Sequence, residues 1–179
     1  MRNVLKTISL FFLITLTFNA FCQNPEPDDD AKYATDLLKA GTPAPDFKIN
    51  TDKGKPLTFS KFAKGHYVVL DFWASWCPDC RKDAPQMVSM YEKFHSKGVK
   101  FIGVSFDTDK EKWLAGIESL KLPYTQVCEL VSKSQSPTAA AYGVKWIPSV
   151  YLIDPEGNVV LSTVLSHKIE KKLEEIFEK

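Results

Sequence analysis

Two cysteines separated by two residues, Cys77 and Cys80, are the side chains of this sequence best placed to do chemistry. They stand directly after an apolar run and before a helical pattern, so we expect them in the first turn of a helix. Unpaired backbone N–H groups at a helix start favour a thiolate, which makes Cys77 the predicted nucleophile. Cys80, one turn further in and expected to be more buried, is the predicted resolving thiol that converts a mixed disulfide into an internal one. Pro78 agrees with this placement, because a proline in the first helical turn removes only an N–H that lacks a partner.

Other uses of a closely spaced cysteine pair fit the sequence less well. A zinc site needs four ligands, and the remaining cysteines and histidines form no second closely spaced pair, so we predict no metal. Haem attachment requires a histidine after the second cysteine, where this chain has Arg81. A purely structural disulfide in so small a ring closes little chain and therefore stabilises little. A redox-active dithiol is the favoured interpretation.

A third candidate for chemistry is Asp71, which lies in the apolar run six residues before Cys77. A buried carboxylate is costly unless it has a use or a partner, and desolvation raises its pKa. We therefore predict that Asp71 takes the proton from Cys80 when the mixed disulfide is resolved. The alternative is an ordinary buried acid whose hydrogen bonds are satisfied.

The segment 71–80 resembles the active-site segment of thioredoxins, and Pro85 occupies the position of their helix-kinking proline. Three further motifs resemble the extracytoplasmic TlpA-like and ResA-like thiol-disulfide oxidoreductases, in the same order: APDF at 44–47, YGVKWIPS at 142–149 and LIDPEG at 152–157. The resemblance covers about residues 41–179. It implies a thioredoxin fold, disulfide-containing protein substrates and no cofactor. The dipeptide Pro78-Asp79 differs from the Gly-Pro of thioredoxin.

The resemblance also assigns the substrate-binding residues. Ile147 and Pro148 match the family's cis-proline element, which lies against the active-site sulfur, and a cis peptide there exposes the Ile147 backbone for pairing with an extended substrate. A trans turn proline is the alternative. Trp76 is expected to wall the site, although a lone aromatic is more often core or rim packing. Pro78 and Asp79 complete the predicted set.

The elements that must position these residues follow from apolar periodicity. The apolar run 67–72, a helix 78–97 that stops at Gly98, and the apolar run 99–106 predict a β-α-β unit with parallel strands. The other predicted elements are a hairpin within 47–59, helices capped by Asp109 and Ser136, a hairpin within 150–163, and a final helix with Ile169, Leu173, Ile176 and Phe177 on its inner face. Together they predict an α/β protein with the three-layer α/β/α thioredoxin fold and an N-terminal hairpin extension.

Composition limits the size and the partners of the protein. The 179 residues, 44% hydrophobic and 25% charged, suit one globular domain with a sizeable core. The net charge of +1 gives no electrostatic footprint for nucleic acid, so we predict no nucleic-acid partner.

Residues 1–22 are predicted to be a signal peptide, because a basic start precedes an apolar run shorter than the ~20 residues that span a bilayer. Cleavage after Cys22 is expected, and lipidation of Cys22 or an uncleaved membrane anchor are the alternatives. Residues 23–40 combine a polar linker, 24–30, with a short helix, and 41–179 form the thioredoxin-like domain. Export predicts a periplasmic protein, in a compartment where disulfides persist.

Cys128 has no predicted partner among the cysteines of the mature chain. Without Cys22 the mature chain holds three cysteines, an odd number. Cys128 lies at a predicted strand end and is interpreted as a small buried hydrophobe. A regulatory or third redox thiol is the alternative.

The resemblance and the predicted export together imply the partners. Candidate substrates are disulfide-containing exported proteins or apocytochrome c, and a membrane thiol electron donor is expected to reduce the Cys77–Cys80 disulfide again. The charge of Asp79 disfavours the Cys77 thiolate, which makes the disulfide harder to reduce and predicts a reductase.

Two other functions remain as alternatives. The motif at 44–47 also resembles peroxiredoxins, but these thiol peroxidases place a threonine or serine three residues before the reactive cysteine, where this chain has Ala74. A non-catalytic thioredoxin-like peptide-binding module is the second alternative, and the presence of both Cys77 and Cys80 argues against it.

Overall fold

A five-stranded mixed sheet is the centre of the fold in the computed structural model, which describes residues 29–178. The helices are α1 (Asp29–Tyr33), α2 (Phe59–Ala63), α3 (Pro78–Phe94), α4 (Lys110–Ser119), α5 (Pro137–Ala141) and α6 (Ser166–Phe177). The strands are β1 (Lys48–Asn50), β2 (Pro56–Thr58), β3 (Val68–Trp73), β4 (Lys100–Ser105), β5 (Thr125–Cys128), β6 (Ser149–Ile153) and β7 (Val159–Thr163).

Strand β3 lies in the middle of the sheet, whose order is β5-β4-β3-β6-β7. It runs parallel to β4 and antiparallel to β6, and all six of its residues are buried. A strand covered on both faces needs a nearly continuous apolar sequence, which explains the run that predicted it. The predicted β-α-β unit, β3-α3-β4, and the predicted antiparallel hairpin, β6-β7, are both confirmed.

Helices α3 and α6 pack against each other, and α6 also contacts β6 and β7. Ile169 and Leu173 of α6 are fully buried, while Ile176 and Phe177 pack partly buried against the core. The predicted inner face of the last helix is therefore confirmed, and with it the α/β class of the protein.

Local capping residues set the ends of the other predicted helices. Asp109 accepts hydrogen bonds from two backbone N–H groups at the start of α4, and Ser136 accepts one at the start of α5. Helix α3 continues as a 3₁₀ turn, His95–Lys97, and Gly98 ends it in the left-handed region with φ of 90°. These helix boundaries are confirmed to within a residue or two.

The N-terminal extension covers both outer strands of the sheet. The predicted hairpin, β1-β2, is confirmed, and Thr51 beside it forms a bridge with Val127 of β5. Residues 41–44 make backbone hydrogen bonds to residues 157–159, at the start of β7. Uncovered edge strands offer free N–H and C=O groups to other chains, so the extension shields the sheet from edge-to-edge pairing.

The predicted linker and the predicted short helix need a correction. Helix α1 begins at Asp29, inside the stretch we predicted to be a linker, and ends at Tyr33. The Asp30 carboxylate accepts hydrogen bonds from the Thr163 hydroxyl and the Val164 N–H, and it pairs with Lys168 at 2.6 Å. The sequence pattern missed this because the partners of Asp30 are more than a hundred residues away and leave no local signal.

The predicted signal peptide and the fate of Cys22 lie outside the described residues. Within 29–178, no helix is long and apolar enough to cross a membrane.

Candidate active site

The two cysteines of the predicted redox pair meet at the start of α3. Cys77 is the N-cap residue, and its Sγ accepts a hydrogen bond from the Cys80 backbone N–H at 3.2 Å. No disulfide joins the two sulfurs in this structure, and both residues are only 4% exposed. In accessible surface the two residues are equal, whereas we expected Cys80 to be the more buried. The reason is the loop before β6, which places the Ile147 carbonyl oxygen 3.6 Å from the Cys77 Sγ and covers it.

The two sulfurs differ in acidity rather than in exposure. The hydrogen bond from the Cys80 side chain, helped by backbone N–H groups, lowers the pKa of Cys77 to about 7, although burial and the charge of Asp79 oppose the shift. The same hydrogen bond to Cys77, together with burial and the charge of Asp71, raises the pKa of Cys80. At neutral pH the pair therefore holds a reactive thiolate on Cys77 and a proton on Cys80.

Asp71 lies behind the cysteines, in the middle of the sheet, and is 4% exposed. Its Oδ2 accepts a hydrogen bond from the Tyr124 hydroxyl at 2.9 Å. Desolvation, reinforced by the nearby charge of Asp83, raises the pKa of Asp71 to about 7, against the effect of the Tyr124 hydrogen bond. Asp71, Cys80, Asp83 and Tyr124 line one small cavity with room for about one water molecule. A carboxyl that titrates near neutrality thus shares a cavity with the thiol it is predicted to deprotonate.

Asp83 is a member of this cluster that the sequence analysis missed. Its Oδ1 accepts a hydrogen bond from the Ser166 hydroxyl of α6, and its Oδ2 is buried with no hydrogen-bond partner among residues 29–178. Burial raises the pKa of Asp83. The available signal was helical spacing: Asp83 stands three residues after Cys80, beside Ala84 on the face that packs inward. Tyr124, by contrast, lies on the chain far from Asp71 and gave no signal.

The predicted substrate-binding residues surround Cys77 on the surface. The Ile147-Pro148 peptide is cis, as predicted. Trp76 is 60% exposed, and Pro78 and Asp79 are exposed at the first turn of α3. The structure therefore places all five predicted substrate-binding residues around Cys77.

A buried carboxylate at the end of β4 holds the loop that leads to Cys77. Asp107 is 2% exposed, and its Oδ2 accepts hydrogen bonds from the Ser75 N–H at 3.0 Å and the Ser105 hydroxyl at 2.7 Å. Its Oδ1 accepts the Ser75 hydroxyl at 2.7 Å. Because Ser75 stands two residues before Cys77, these bonds fix the backbone from which the nucleophile projects.

Cys128 lies at the end of β5 and is buried, as the preferred interpretation predicted. Its thiol donates to the Asp107 carbonyl at 3.2 Å, and its Sγ accepts the Leu130 N–H. Burial raises the pKa of Cys128, which keeps it protonated and unreactive at neutral pH. Within the described part of the chain, no group of three or more histidine, cysteine or acidic side chains is arranged to hold a metal ion.

Comparison with known proteins agrees with this geometry. The AhpC/TSA family matches residues 40–162. The chain is 33% identical to thiol-disulfide oxidoreductase ResA of Bacillus thuringiensis strain Al Hakam over 76% of each chain. It is 32% identical to ResA of Bacillus subtilis over 69% of this chain and 66% of that relative. The solved thioredoxin domain of a thiol-disulfide oxidoreductase from Bacteroides vulgatus is similar with a TM-score of 0.70 and 31% identity, over 78% of this chain and 98% of that domain. The predicted thioredoxin fold and the ResA-like resemblance are confirmed.

Proposed function

Because the chain belongs to the AhpC/TSA family and is a thiol-disulfide oxidoreductase like the relatives it matches, we propose that it reduces disulfides of exported proteins with the Cys77–Cys80 pair. The observation that carries the proposal is the division of acidity between two sulfurs in contact. The pKa of Cys77 is lowered to about 7 while that of Cys80 is raised. One sulfur is therefore ready to attack while the other waits in its protonated form.

The first step is attack on the substrate. The Cys77 thiolate displaces one sulfur of the substrate disulfide, so a mixed disulfide forms and the first substrate thiolate leaves and takes a proton from solvent. The Cys80 N–H, which donates to the Cys77 Sγ, holds the nucleophile at the helix start. The cis Ile147-Pro148 segment lies directly beside this sulfur, where an extended substrate can pair with its backbone.

The second step resolves the mixed disulfide. Asp71 takes the proton from Cys80, directly or through a water molecule in their shared cavity. The new Cys80 thiolate attacks the Cys77 sulfur and expels the second substrate thiolate. Two electrons have then passed from the dithiol to the substrate, and the Cys77–Cys80 disulfide remains. An external thiol donor must reduce it before the next cycle.

The charge of Asp79 beside Cys77 supports the proposed direction of the reaction. Asp79 raises the pKa of Cys77 and so offsets part of the stabilisation of its thiolate. A less stabilised thiolate makes the disulfide harder to reduce, which moves the couple toward thioredoxin-like potentials of about −270 mV and away from oxidants near −120 mV. A reduction potential of this kind is typical of a disulfide reductase.

The location and the partners are part of the same proposal. The substrates are disulfides of exported proteins, apocytochrome c among them, and the electron donor is a membrane thiol protein. The proposal is supported by the resemblance to extracytoplasmic relatives and by the predicted signal peptide at 1–22. Disulfides persist in the compartments to which such proteins are exported, so substrates of this kind occur there. We place the protein in the periplasm.

Equilibration of the protein with a glutathione buffer tests the direction. A potential near −270 mV is expected, and a value above about −180 mV, the region of isomerases and oxidants, would refute the reductase. Trapping mixed disulfides in cells with Cys80→Ala identifies the substrates, and Cys77→Ala is the matched control that must trap none. Consumption of hydrogen peroxide, measured in parallel, separates the thiol peroxidase alternative.

A further inference from the structure

A groove beside the nucleophile is bounded by a part of the chain that has no role in the mechanism above. One side of the groove is the Ile147-Pro148 segment, which contacts Cys77, and the far side is α1 with Asp29 and Tyr33. The groove encloses about 570 Å³, a volume in the usual range of binding pockets. It is therefore large enough for several side chains of a substrate that reaches the Cys77 sulfur.

Helix α1 is fixed in place at this groove. Its Asp30 carboxylate binds the Thr163 hydroxyl and the Val164 N–H at the end of β7, and it pairs with Lys168 of α6. A single turn of helix is unstable alone in water, so these bonds to two other elements are what hold it. The wall that α1 contributes is thus a built part of the fold.

An aromatic pair joins α1 to the segment that touches the nucleophile. The Tyr33 and Trp146 rings meet edge to face, with centroids 4.8 Å apart and an interplanar angle of 68°. Trp146 is 53% exposed and directly precedes Ile147, whose carbonyl lies against Cys77. Large rings with an exposed face supply contact area at little conformational cost, which is why they serve as anchors at binding sites.

Part of the groove offers contact to an apolar side chain. The groove exposes somewhat more polar than apolar surface, and its apolar or aromatic lining residues are Tyr33, Trp146, Ile147, Pro148, Val164 and Leu165. Three carboxyl side chains, Asp29, Asp79 and Asp83, also line the groove, together with Lys82 and His167. The carboxyl groups disfavour an acidic occupant, while the aromatic and aliphatic side chains offer contact to an apolar one.

We propose that α1 is part of the substrate site, and that Tyr33 and Trp146 hold an apolar side chain next to the substrate cysteine under attack. The occupant is an extended segment of a disulfide-containing protein, so this inference rests on the proposed function. Tyr33 determines specificity and takes no part in the transfer of electrons or protons.

Two disulfide peptides of equal length test the inference, one with leucine and one with serine beside the cysteine. The wild-type full-length chain is expected to reduce the leucine peptide with a kcat/KM about tenfold higher, because that side chain is buried in the groove. Tyr33→Ala and Trp146→Ala are each expected to lose most of this preference through a rise in KM for the leucine peptide. Tyr33→Phe, which keeps the ring, is expected to retain it.

Tyr67→Ala is the matched control. Tyr67 also packs edge to face on another ring, Phe177, at 5.5 Å, but it precedes β3 at the end of the sheet opposite Cys77. Each rate is divided by the rate with hydroxyethyl disulfide, which has no side chain to place in the groove. An unchanged preference in both Tyr33→Ala and Trp146→Ala, or an equal loss in Tyr67→Ala, would overturn the inference. Failure of the wild-type protein to reduce any of the three disulfides would overturn the proposed function instead.

Discussion

At the level of single residues, the two active-site thiols have the same exposure and different acidity. Cys77 and Cys80 differ in what donates to and what surrounds each sulfur, so ionisation and not access decides their reactivity. Cys128, also buried, is held protonated by its surroundings. The reactivity of the three cysteines in the described part of the chain is therefore set by their pKa values, of which that of Cys77 is lowered and the other two are raised.

Alkylation of the reduced protein near neutral pH checks this ranking. Iodoacetamide is expected to modify Cys77 well before Cys80 or Cys128, because only Cys77 is substantially a thiolate there. Peptide mapping after timed quenching gives the order, and the unfolded protein is the control in which all three react alike. Faster labelling of Cys80 would reverse the assignment of nucleophile and resolving thiol.

Asp71→Asn is expected to keep the fold and to slow resolution of the mixed disulfide. An amide cannot accept the Cys80 proton, and loss of a general base typically lowers a rate by about 10²-fold or more. In the wild type, the resolution rate should rise through pH ~7 as Asp71 loses its proton, and the variant should lack this rise. Rapid-mixing measurement of the second thiol released follows the step directly. Equal rates from pH ~6 to ~8 would make Asp71 merely structural.

The same substitution is expected to increase stability at high pH. In the folded protein Asp71 keeps its proton until about pH 7, whereas the unfolded carboxyl loses it near pH ~4. Between these values the folded state binds the extra proton, so wild-type stability falls as pH rises and levels off above ~7. Asp71→Asn removes this loss and should be more stable by roughly 2–4 kcal/mol above pH ~7. Urea unfolding across the pH range measures the difference, which should shrink toward pH ~4. Asp83 adds a slope of the same sign to both proteins, so the difference reports Asp71 together with its interaction with Asp83.

Among the elements, the end of β4 carries two acids with different tasks. Asp107 binds Ser75 in the loop before Cys77, whereas Asp109 caps α4. They stand two residues apart at the same edge of the sheet. The pair therefore offers a comparison between positioning the active site and stabilising a helix.

Asp107→Asn is expected to raise the pKa of Cys77 toward its ordinary value. An amide group has one accepting oxygen in place of two and turns its own NH₂ toward the Ser75 donors, so the loop loosens and the hydrogen bonds to Cys77 weaken. The ultraviolet absorbance of the thiolate during a pH titration gives this pKa. Asp109→Ala is the control: it should lower stability by about 1 kcal/mol and leave the Cys77 titration unchanged. Identical titrations of both variants would show that Asp107 does not position the nucleophile.

The sequence predicted correctly those elements that are formed by interactions between residues close together in the chain. The β3-α3-β4 unit, the caps Asp109 and Ser136, and the stop at Gly98 all depend on residues within a turn or a strand of one another. The hydrogen bonds from Tyr124 to Asp71, from Ser75 to Asp107 and from Thr163 to Asp30 join residues far apart in the chain. A composition-based expectation of a linker at 24–30 failed at Asp29 and Asp30 for this reason. Equal exposure of the two active-site cysteines likewise depends on a distant loop.

In the whole molecule, the N-terminal extension is fitted to the core at Gly143. This glycine has φ of +68°, and a Cβ there would lie 1.9 Å from the Asp36 carbonyl oxygen. Gly143→Ala is therefore expected to destabilise the protein by about 3 kcal/mol or more, because the contact must open and the backbone is strained. Gly157→Ala is the control, since its φ of +91° is similar but nothing lies within 4 Å of the added Cβ. That change should cost only about 1 kcal/mol. Thermal unfolding measures both, and equal losses would contradict the close fit.

Residues 41–52 leave the ribosome before the strands that they cover, β5 and β7, have been made. Asp30 and Thr163, which fasten the same extension, are 133 residues apart. Contacts at such separation close large loops and form late, whereas β3-α3-β4 assembles from neighbouring segments. We therefore expect a refolding chain to pass through a stage in which the sheet exists with both edges open to other molecules. Aggregation through these edges should therefore lower the yield of refolding at protein concentrations that leave the native protein unaffected.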